Sequence, residues 1–380
     1  MLVSIKDSFK LIGITIVCFC AVFVCTFFLN FYLDAKSLEG TFTDPNLIAL
    51  YDAQMSMAKF VCAISGGFLA LIAVIMLVFY IKLYIDKNAK NVGVMKAMGY
   101  SEWKIAIRFS VFGLSVLLGT ALGFGCGFII MPTVYNGLMI NGLPSIDITF
   151  HVSLLFLLVL APSVVFAALS SLYAYIALRR PVNELLKGKA EKIKTVKHNG
   201  EEKDGSFLRE MSLKTMSNKK SLAFFVLFAC FCFSAMVQMA ASMKDLSSAT
   251  MGAIIFVIGI VLAVTTIVMA ITSLVNGNVK NISIMKAFGY SMKECALSVL
   301  FGYHIFAFIG FALGTVYQYG ILSLMVNLVF KDVANMPEYS FNVPVFFITL
   351  AAFLVFYEAV MLVYFFKMNK ISVKEVMAEE

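Results

Sequence analysis

Charged residues are scarce in this chain of 380 residues: they make up 14% of it, against 61% hydrophobic residues, and the mean hydropathy is +0.92. Soluble domains contain about 45–50% apolar residues. The composition therefore excludes an ordinary soluble enzyme and indicates a membrane protein.

Patterns that carry catalysis or metal binding are also missing. No Gly-x-x-x-x-Gly-Lys-Ser/Thr phosphate loop occurs, and the fragment Gly188-Lys189-Ala190 lacks the first glycine and the hydroxyl residue. The three His and eight Cys show no zinc-ligand spacing, and there is no nucleophile elbow. The sequence predicts no catalytic residue, no metal site and no directly bound cofactor, so any ATP must be hydrolysed by a separate subunit.

Long apolar runs are what the chain has instead. About 20 apolar residues suffice to cross the hydrocarbon core of a bilayer. Eight windows reach this length: Leu11–Leu33, Ala58–Ile81, Phe109–Met131, Phe150–Leu178, Leu222–Met243, Thr250–Val275, Ala296–Val326 and Val343–Phe366. They predict an all-α polytopic membrane protein with eight transmembrane helices and short extracellular loops.

The net charge of +8 reflects topology rather than a nucleic-acid partner. With the N-terminus placed in the cytoplasm, all of the 30 Lys and Arg residues fall on the inner side except Lys36, Lys59, Lys244 and Lys331. Cytoplasmic loops of membrane proteins carry such an excess of Lys and Arg. Both termini are therefore predicted to be cytoplasmic.

The two halves of the chain repeat each other. The segments Lys90–Ser101 and Lys280–Ser291 are identical at eight of their twelve positions, and each precedes an apolar window. We predict a tandem duplication of a four-span unit, with repeats at 1–186 and 206–380 and a cytoplasmic linker at 187–205. Because each unit has an even number of spans, the two four-helix repeats are parallel in the membrane.

The repeated segment has the local signature of a helix, a tight turn and a second helix. Asn91 to Met98 has no proline and ends in good helix formers, Gly99 suits a C-terminal cap, and Ser101 can cap the next helix. In the second copy, Ser291-x-x-Glu294 fits a capping box. A short rigid helix joined stiffly to a span can transmit a push.

This arrangement resembles the FtsX-like, or MacB-type, family of ABC transporter permeases, which carry a cytoplasmic coupling helix between their second and third spans. The matching residues are Met95, Lys96, Ala97, Gly99 and Tyr100 in the first half and Met285, Lys286, Ala287, Gly289 and Tyr290 in the second. We call Lys90–Ser101 and Lys280–Ser291 the first and second coupling segments. The resemblance implies a separate ABC ATPase, acting as a dimer, that binds ATP and docks on these residues in a bacterial cell membrane. The chain departs from the family in its short connection at 34–57, where relatives often carry a large domain.

Small residues recur in the third and seventh spans, at Gly119, Gly123, Gly127, Gly310 and Gly314. Such spacing lets membrane helices approach closely. One interpretation places these glycines at a helix interface around the pseudo-twofold axis, and the other is ordinary packing.

His304 and Glu358 are the ionisable residues that lie well inside the predicted spans. They share a depth in consecutive antiparallel spans, so they are predicted either to form a polar pair or to leave Glu358 protonated or facing a wet cavity.

Two functions fit these patterns. In the first, the chain is a permease that couples ATP hydrolysis by its partner to export or extraction of a hydrophobic substrate: a peptide, an antimicrobial peptide to which it would confer resistance, or a lipid. In the second, it is a non-transporting signal relay to an extracellular wall enzyme or a sensor kinase. The sequence leaves open the substrate, the direction of movement, the identity of the ATPase and whether one chain forms the whole permease.

Overall fold

A computed structural model describes residues 11–40, 45–138, 147–182, 220–246, 249–329 and 340–369. These ranges are almost entirely helical and contain no strand. The prediction of an all-α protein is confirmed. The predicted linker at 187–205 lies outside the described residues.

Eight helical stretches in the described ranges are long and apolar enough to cross a membrane, which confirms the eight predicted spans. In chain order they are Ile12–Leu38, Gln54–Asp86, Glu102–Thr133, Val152–Leu178, Lys220–Ser242, Phe256–Val279, His304–Asn327 and Val343–Met368.

Twelve α-helices in the described residues build these spans and their connections. They are α1 (Ile12–Ala35), α2 (Pro45–Lys87), α3 (Ala89–Ala97), α4 (Glu102–Ala106), α5 (Gly113–Leu138), α6 (Val152–Leu155), α7 (Ala161–Leu178), α8 (Lys220–Leu246), α9 (Ala249–Ala287), α10 (Met292–Val299), α11 (His304–Val329) and α12 (Val343–Asn369). A 3₁₀ turn at Ile107–Phe112 joins α4 to α5, and a π turn at Phe156–Leu160 joins α6 to α7.

The helices form two compact units. One comprises Met1–Gly188 with Ser242–Ile258 and Tyr319–Phe341, and the other comprises Lys189–Ala241, Gly259–Gln318 and Asn342–Glu380. The first of these units therefore contains all of the first four spans.

In each half of the chain, the first of the four spans is the most buried and the last is the least buried. In the first and fifth spans, 67% of the apolar window is buried, whereas in the fourth and eighth spans the share is 28%. A helix surrounded by other helices buries its side chains, and a peripheral one leaves them to lipid. The first and fifth spans are therefore the inner helices, and the fourth and eighth are the peripheral ones.

Candidate coupling site

The first coupling segment ends its helix in a Schellman turn. Gly99 has a φ of +86°, a conformation that glycine adopts without steric cost. Its N–H donates to the carbonyl oxygen of Lys96 at 3.0 Å, and the N–H of Tyr100 donates to that of Met95 at 3.1 Å. These two bonds satisfy carbonyls that the helix end would otherwise leave open. The chain reverses here within a few residues, without a flexible loop.

The second coupling segment repeats this turn closely. Gly289 has a φ of +84°. Its N–H donates to Lys286 O at 3.0 Å, and Tyr290 N–H donates to Met285 O at 3.1 Å. The recurring sequence therefore encodes a recurring backbone geometry.

A serine caps the helix that follows each turn. The Ser101 side chain accepts from the N–H of Lys104 at 3.3 Å. In the second half, Ser291 and Glu294 form the predicted capping box, in which the Ser291 N–H donates to the Glu294 carboxylate at 2.8 Å. Hydrogen bonds from the side chain and backbone of Ser291 lower the pKa of Glu294. The helix leading into each of the two following spans thus starts at a defined residue.

In each coupling segment, the lysine three residues before the glycine of the turn contacts the end of another span. Lys96 Nζ donates to Leu178 O at 2.7 Å, to Arg180 O at 2.8 Å and to Glu102 Oε1 at 2.9 Å. In the second half, Lys286 Nζ donates to Met368 O at 3.2 Å. Cations near a helix C-terminus satisfy its open carbonyls and complement its dipole. Each lysine therefore ties its coupling segment to the last turn of the peripheral span, a bond that we call the lysine brace.

The outward side of each turn is apolar. Met98 is 63% exposed, and Phe288, the residue at the corresponding position, is 78% exposed. Beside them, Ala97 and Ala287 are exposed, whereas Met285 is buried and Met95 half-buried. Exposed apolar side chains at the tip of a stiff turn are suited to insertion into a groove of another protein.

One local prediction was wrong for the second half. The first segment forms a separate short helix, α3, because the chain turns at Asn88, whose φ is −101° and ψ 19°. In the second half, α9 runs from Ala249 to Ala287 without a break, so the second coupling helix is the continuous end of the sixth span. The asparagine side chain bonds back to the carbonyl four residues earlier in both halves, at 2.9 Å from Asn88 and 2.8 Å from Asn278.

Comparison with known families matches these same regions of the chain. The family model for the FtsX-like permease C-terminal region matches residues 63–181 and again residues 253–373. The chain belongs to the FtsX-like permease family. No curated protein and no solved structure matches it. Each matched region contains one coupling segment and the two spans after it, and this family is a membrane permease component of ABC transporter-type systems that works with an ABC ATPase.

The glycines of the third span of this FtsX-like permease lie against the first span. A Cβ on Gly119 would lie 2.4 Å from Thr15 O, one on Gly123 would lie 2.4 Å from Phe19 O, and one on Gly127 would lie 3.1 Å from the Thr26 side chain. At Gly119 and Gly123 a Cβ would come closer to backbone atoms than real atoms do, so only glycine permits the helix contact there. At Gly127 the contact is tight, and the Thr26 side chain would have to give by a few tenths of an ångström.

The seventh span of the permease makes the same contact with the fifth. A Cβ on Gly310 would lie 2.1 Å from Leu227 O, and one on Gly314 would lie 2.4 Å from Phe231 O. The nearest neighbours of these glycines are thus the inner helix of their own half. The small residues therefore serve close packing within each half, and their placement around a pseudo-twofold axis stays a prediction.

His304 and Glu358 are brought together by the seventh and eighth spans. The distance from His304 Nε2 to Glu358 Oε1 is 2.9 Å. The His304 ring also lies edge-on to Tyr357, with the ring centroids 5.2 Å apart. When Gly119 is aligned with Gly310, the first-half counterparts are Gly113 and Ala167, and a Cβ on Gly113 would lie 2.7 Å from Ala167 Cβ. The same contact between spans is close packing in one half and a polar pair in the other.

A buried carboxylate that the sequence pattern does not reveal lies at the end of the first span farthest from the coupling segment. Only 1% of the Asp34 side chain is exposed. Its carboxylate accepts from Asn30 Nδ2 and from Tyr135 OH, both at 2.7 Å, contacts the Thr149 hydroxyl, and lies 2.9 Å from His151 Nε2. The first apolar window ends at Leu33, one residue before Asp34, so the sequence predicts that Asp34 lies in a loop. It instead joins the ends of the first, third and fourth spans.

Proposed function

We propose that this chain is a complete permease of an ABC transport system, formed by tandem duplication of a four-span unit. The observation that carries the proposal is the recurrence of the whole coupling site. Both halves have the same turn, the same exposed apolar tip and the same lysine brace, each inside one of the two regions matched by the family model. One chain would then present two docking points to a dimeric ATPase.

In this mechanism, the ATPase moves the tips and the brace carries the movement to the spans. ATP is bound and hydrolysed by the partner, on the cytoplasmic side of a bacterial cell membrane, where both termini of the chain also lie. Met98 and Phe288 insert into the two subunits of the partner. Because the turns are closed by hydrogen bonds on both sides, a displacement of a tip moves the capped helix after it and the braced peripheral span together.

A hydrophobic substrate fits this permease best. Candidates are a peptide, an antimicrobial peptide to which export would confer resistance, and a lipid, either exported or extracted from the bilayer. The short connection between the first two spans supports a substrate taken from the membrane, since it provides little surface for a soluble extracellular partner.

Substitution of the two exposed tip residues, Met98 and Phe288, tests whether they dock on the ATPase. The tagged chain, purified from its native membranes, is expected to retain an ABC ATPase and to stimulate it. Replacing Met98 and Phe288 together by Asp is expected to weaken that association by tenfold or more, because burying a large apolar side chain contributes about 1.5–3 kcal/mol. Asn91→Ala, at an exposed position of the α3 helix that precedes Met98, serves as the control and should leave binding unchanged.

Two outcomes would redirect the proposal. If the Asp variant binds and stimulates the ATPase normally, the tips are not the docking points. If the wild-type chain stimulates the ATPase but moves no peptide or lipid in vesicles, the system is the signal relay to a wall enzyme or sensor kinase.

A further inference from the structure

An open groove lies beside the first coupling segment, where the third span begins. It has a volume of about 340 Å³ and is lined by Met95, Tyr100, Trp103, Lys104, Ile107 and Arg108. Trp103 is 52% exposed and Ile107 50%, so large apolar surfaces face outward beside two cations. The groove lies wholly within the unit that contains the first four spans.

The two cations of the groove have no acidic partner among the described residues. Lys104 and Arg108 are four residues apart, and both are exposed. Neither makes an ion pair within the described part of the chain, and no acidic side chain lines the groove. Because both line the same groove, these like charges repel each other, and an anion between them would remove that repulsion.

The position of the groove favours a lipid as the source of this anion. It lies where the apolar span Glu102–Thr133 begins, and farther along the span Leu118, Leu122 and Ile129 are exposed, as expected of a face in contact with hydrocarbon. Tyr and Trp are enriched at the level of the lipid headgroups, and Lys and Arg there attract anionic lipids. A phosphate between the cations and an acyl chain along Ile107 would use both parts of the lining.

The second half of the chain lacks these features. At the positions of Trp103 and Lys104 it has Lys293 and Glu294, and Glu294 is engaged in the capping box. The counterpart of Arg108 is Ser298, which is buried. The repeat thus preserves the coupling turn but not the tryptophan and the two cations that line the groove.

We propose that this groove binds the headgroup of an anionic phospholipid in the leaflet at the coupling-segment end of the permease. The site belongs to the first half alone and makes the two coupling segments unequal in their response to membrane composition. The proposal does not depend on the identity of the ATPase or of the transported substrate.

Trp103 is the sole tryptophan of the chain, so its fluorescence reports on this groove alone. The full-length protein in a neutral detergent is titrated with phosphatidylglycerol or phosphatidylcholine, each brominated on the upper acyl chain to quench tryptophan. Each cation near an anionic lipid surface contributes about 1 kcal/mol. The two together predict half-quenching at a roughly 30-fold lower fraction of phosphatidylglycerol, which corresponds to about 2 kcal/mol.

Matched variants separate the groove from general surface charge. Lys104→Gln combined with Arg108→Gln is expected to bring the ratio of the two half-quenching fractions close to one. Lys293→Gln removes one exposed charge at the corresponding place of the second half and should leave the ratio unchanged. Thermal unfolding of each variant, followed by tyrosine fluorescence, identifies any that is misfolded, and the single variants Lys104→Gln and Arg108→Gln then replace the double one.

Three results would overturn the proposal. One is equal quenching by the two lipids, and another is a preference that the Gln variants retain. The third is displacement of brominated phosphatidylglycerol by millimolar inorganic phosphate, which would mean that the ligand is a free anion. If the lipids quench equally while the Gln variants lose the ATPase, the groove is a protein-docking surface and not a lipid site.

Discussion

Replacing single glycines of the third span by alanine tests how the inner helix is held. In Gly123→Ala, the new Cβ would lie 2.4 Å from Phe19 O and 3.2 Å from Phe19 Cα. An ordinary contact of this kind is 3.4 Å or longer, so the two helices must separate by roughly 1 Å along their contact. Overpacking of a tight interior costs about 1–3 kcal/mol, and we expect a loss of that size in the free energy of unfolding.

The same helix supplies a control with the opposite sign. Gly125 lies two residues away in α5, and a Cβ there would meet nothing within 4 Å. Alanine in a helix interior is favoured over glycine by about 0.5–1 kcal/mol, so Gly125→Ala should leave stability unchanged or raise it. In the second half, Gly314→Ala and Gly320→Ala form an equivalent pair, because a Cβ on Gly320 would also meet nothing within 4 Å.

Unfolding by a graded titration with a denaturing detergent, followed by circular dichroism, measures these differences. The steric explanation requires Gly123→Ala to be less stable than Gly125→Ala by at least about 1 kcal/mol. Equal stability of the two variants would refute it, because it would mean that the helices separate at no cost and that the glycines are incidental.

Three further predictions concern polar contacts. Lys96→Met should lower the free energy of unfolding by about 1–3 kcal/mol in the same titration, since it leaves carbonyl oxygens at the end of the fourth span without their donor. The variant should still bind the ATPase but no longer stimulate it, and full stimulation would show that the lysine brace does not transmit the movement. In a double-mutant cycle, His304→Ala and Glu358→Ala should show a coupling above about 0.5 kcal/mol, whereas strict additivity would mean that the side chains do not interact. Because Ser291 lowers the pKa of Glu294, the capping box stabilises the helix above the ordinary glutamate pKa of about 4.3 and loses that effect as the pH falls through the lower folded-state value. The protection of amides in the first turn of α10 against hydrogen exchange, measured relative to an unfolded chain at the same pH, should fall over that range, and Glu294→Gln should abolish this dependence.

Local features were determined by the sequence alone. The eight spans follow from apolar length, and the turns follow from Gly99 and Gly289, because few other residues adopt a positive φ without strain. Ser291 and Glu294 form the predicted cap because their partners lie within three residues. Interactions of this kind depend on a few consecutive residues, so they can be recognised before the fold is known.

Contacts between distant residues were decided only by the tertiary structure. The apolar windows specify which segments enter the membrane but not which faces meet, so the partner of Lys96 at Leu178 O and the burial of Asp34 could not be derived. The glycine pattern of the third span indicated that another helix packs closely against it, yet only the tertiary structure shows that this helix is the first span. Depth made His304 and Glu358 candidates for a pair, and the rotation of two helices about their axes brought the side chains to 2.9 Å. Helix rotation and neighbour choice depend on the packing of all spans together, and a linear pattern does not contain that information.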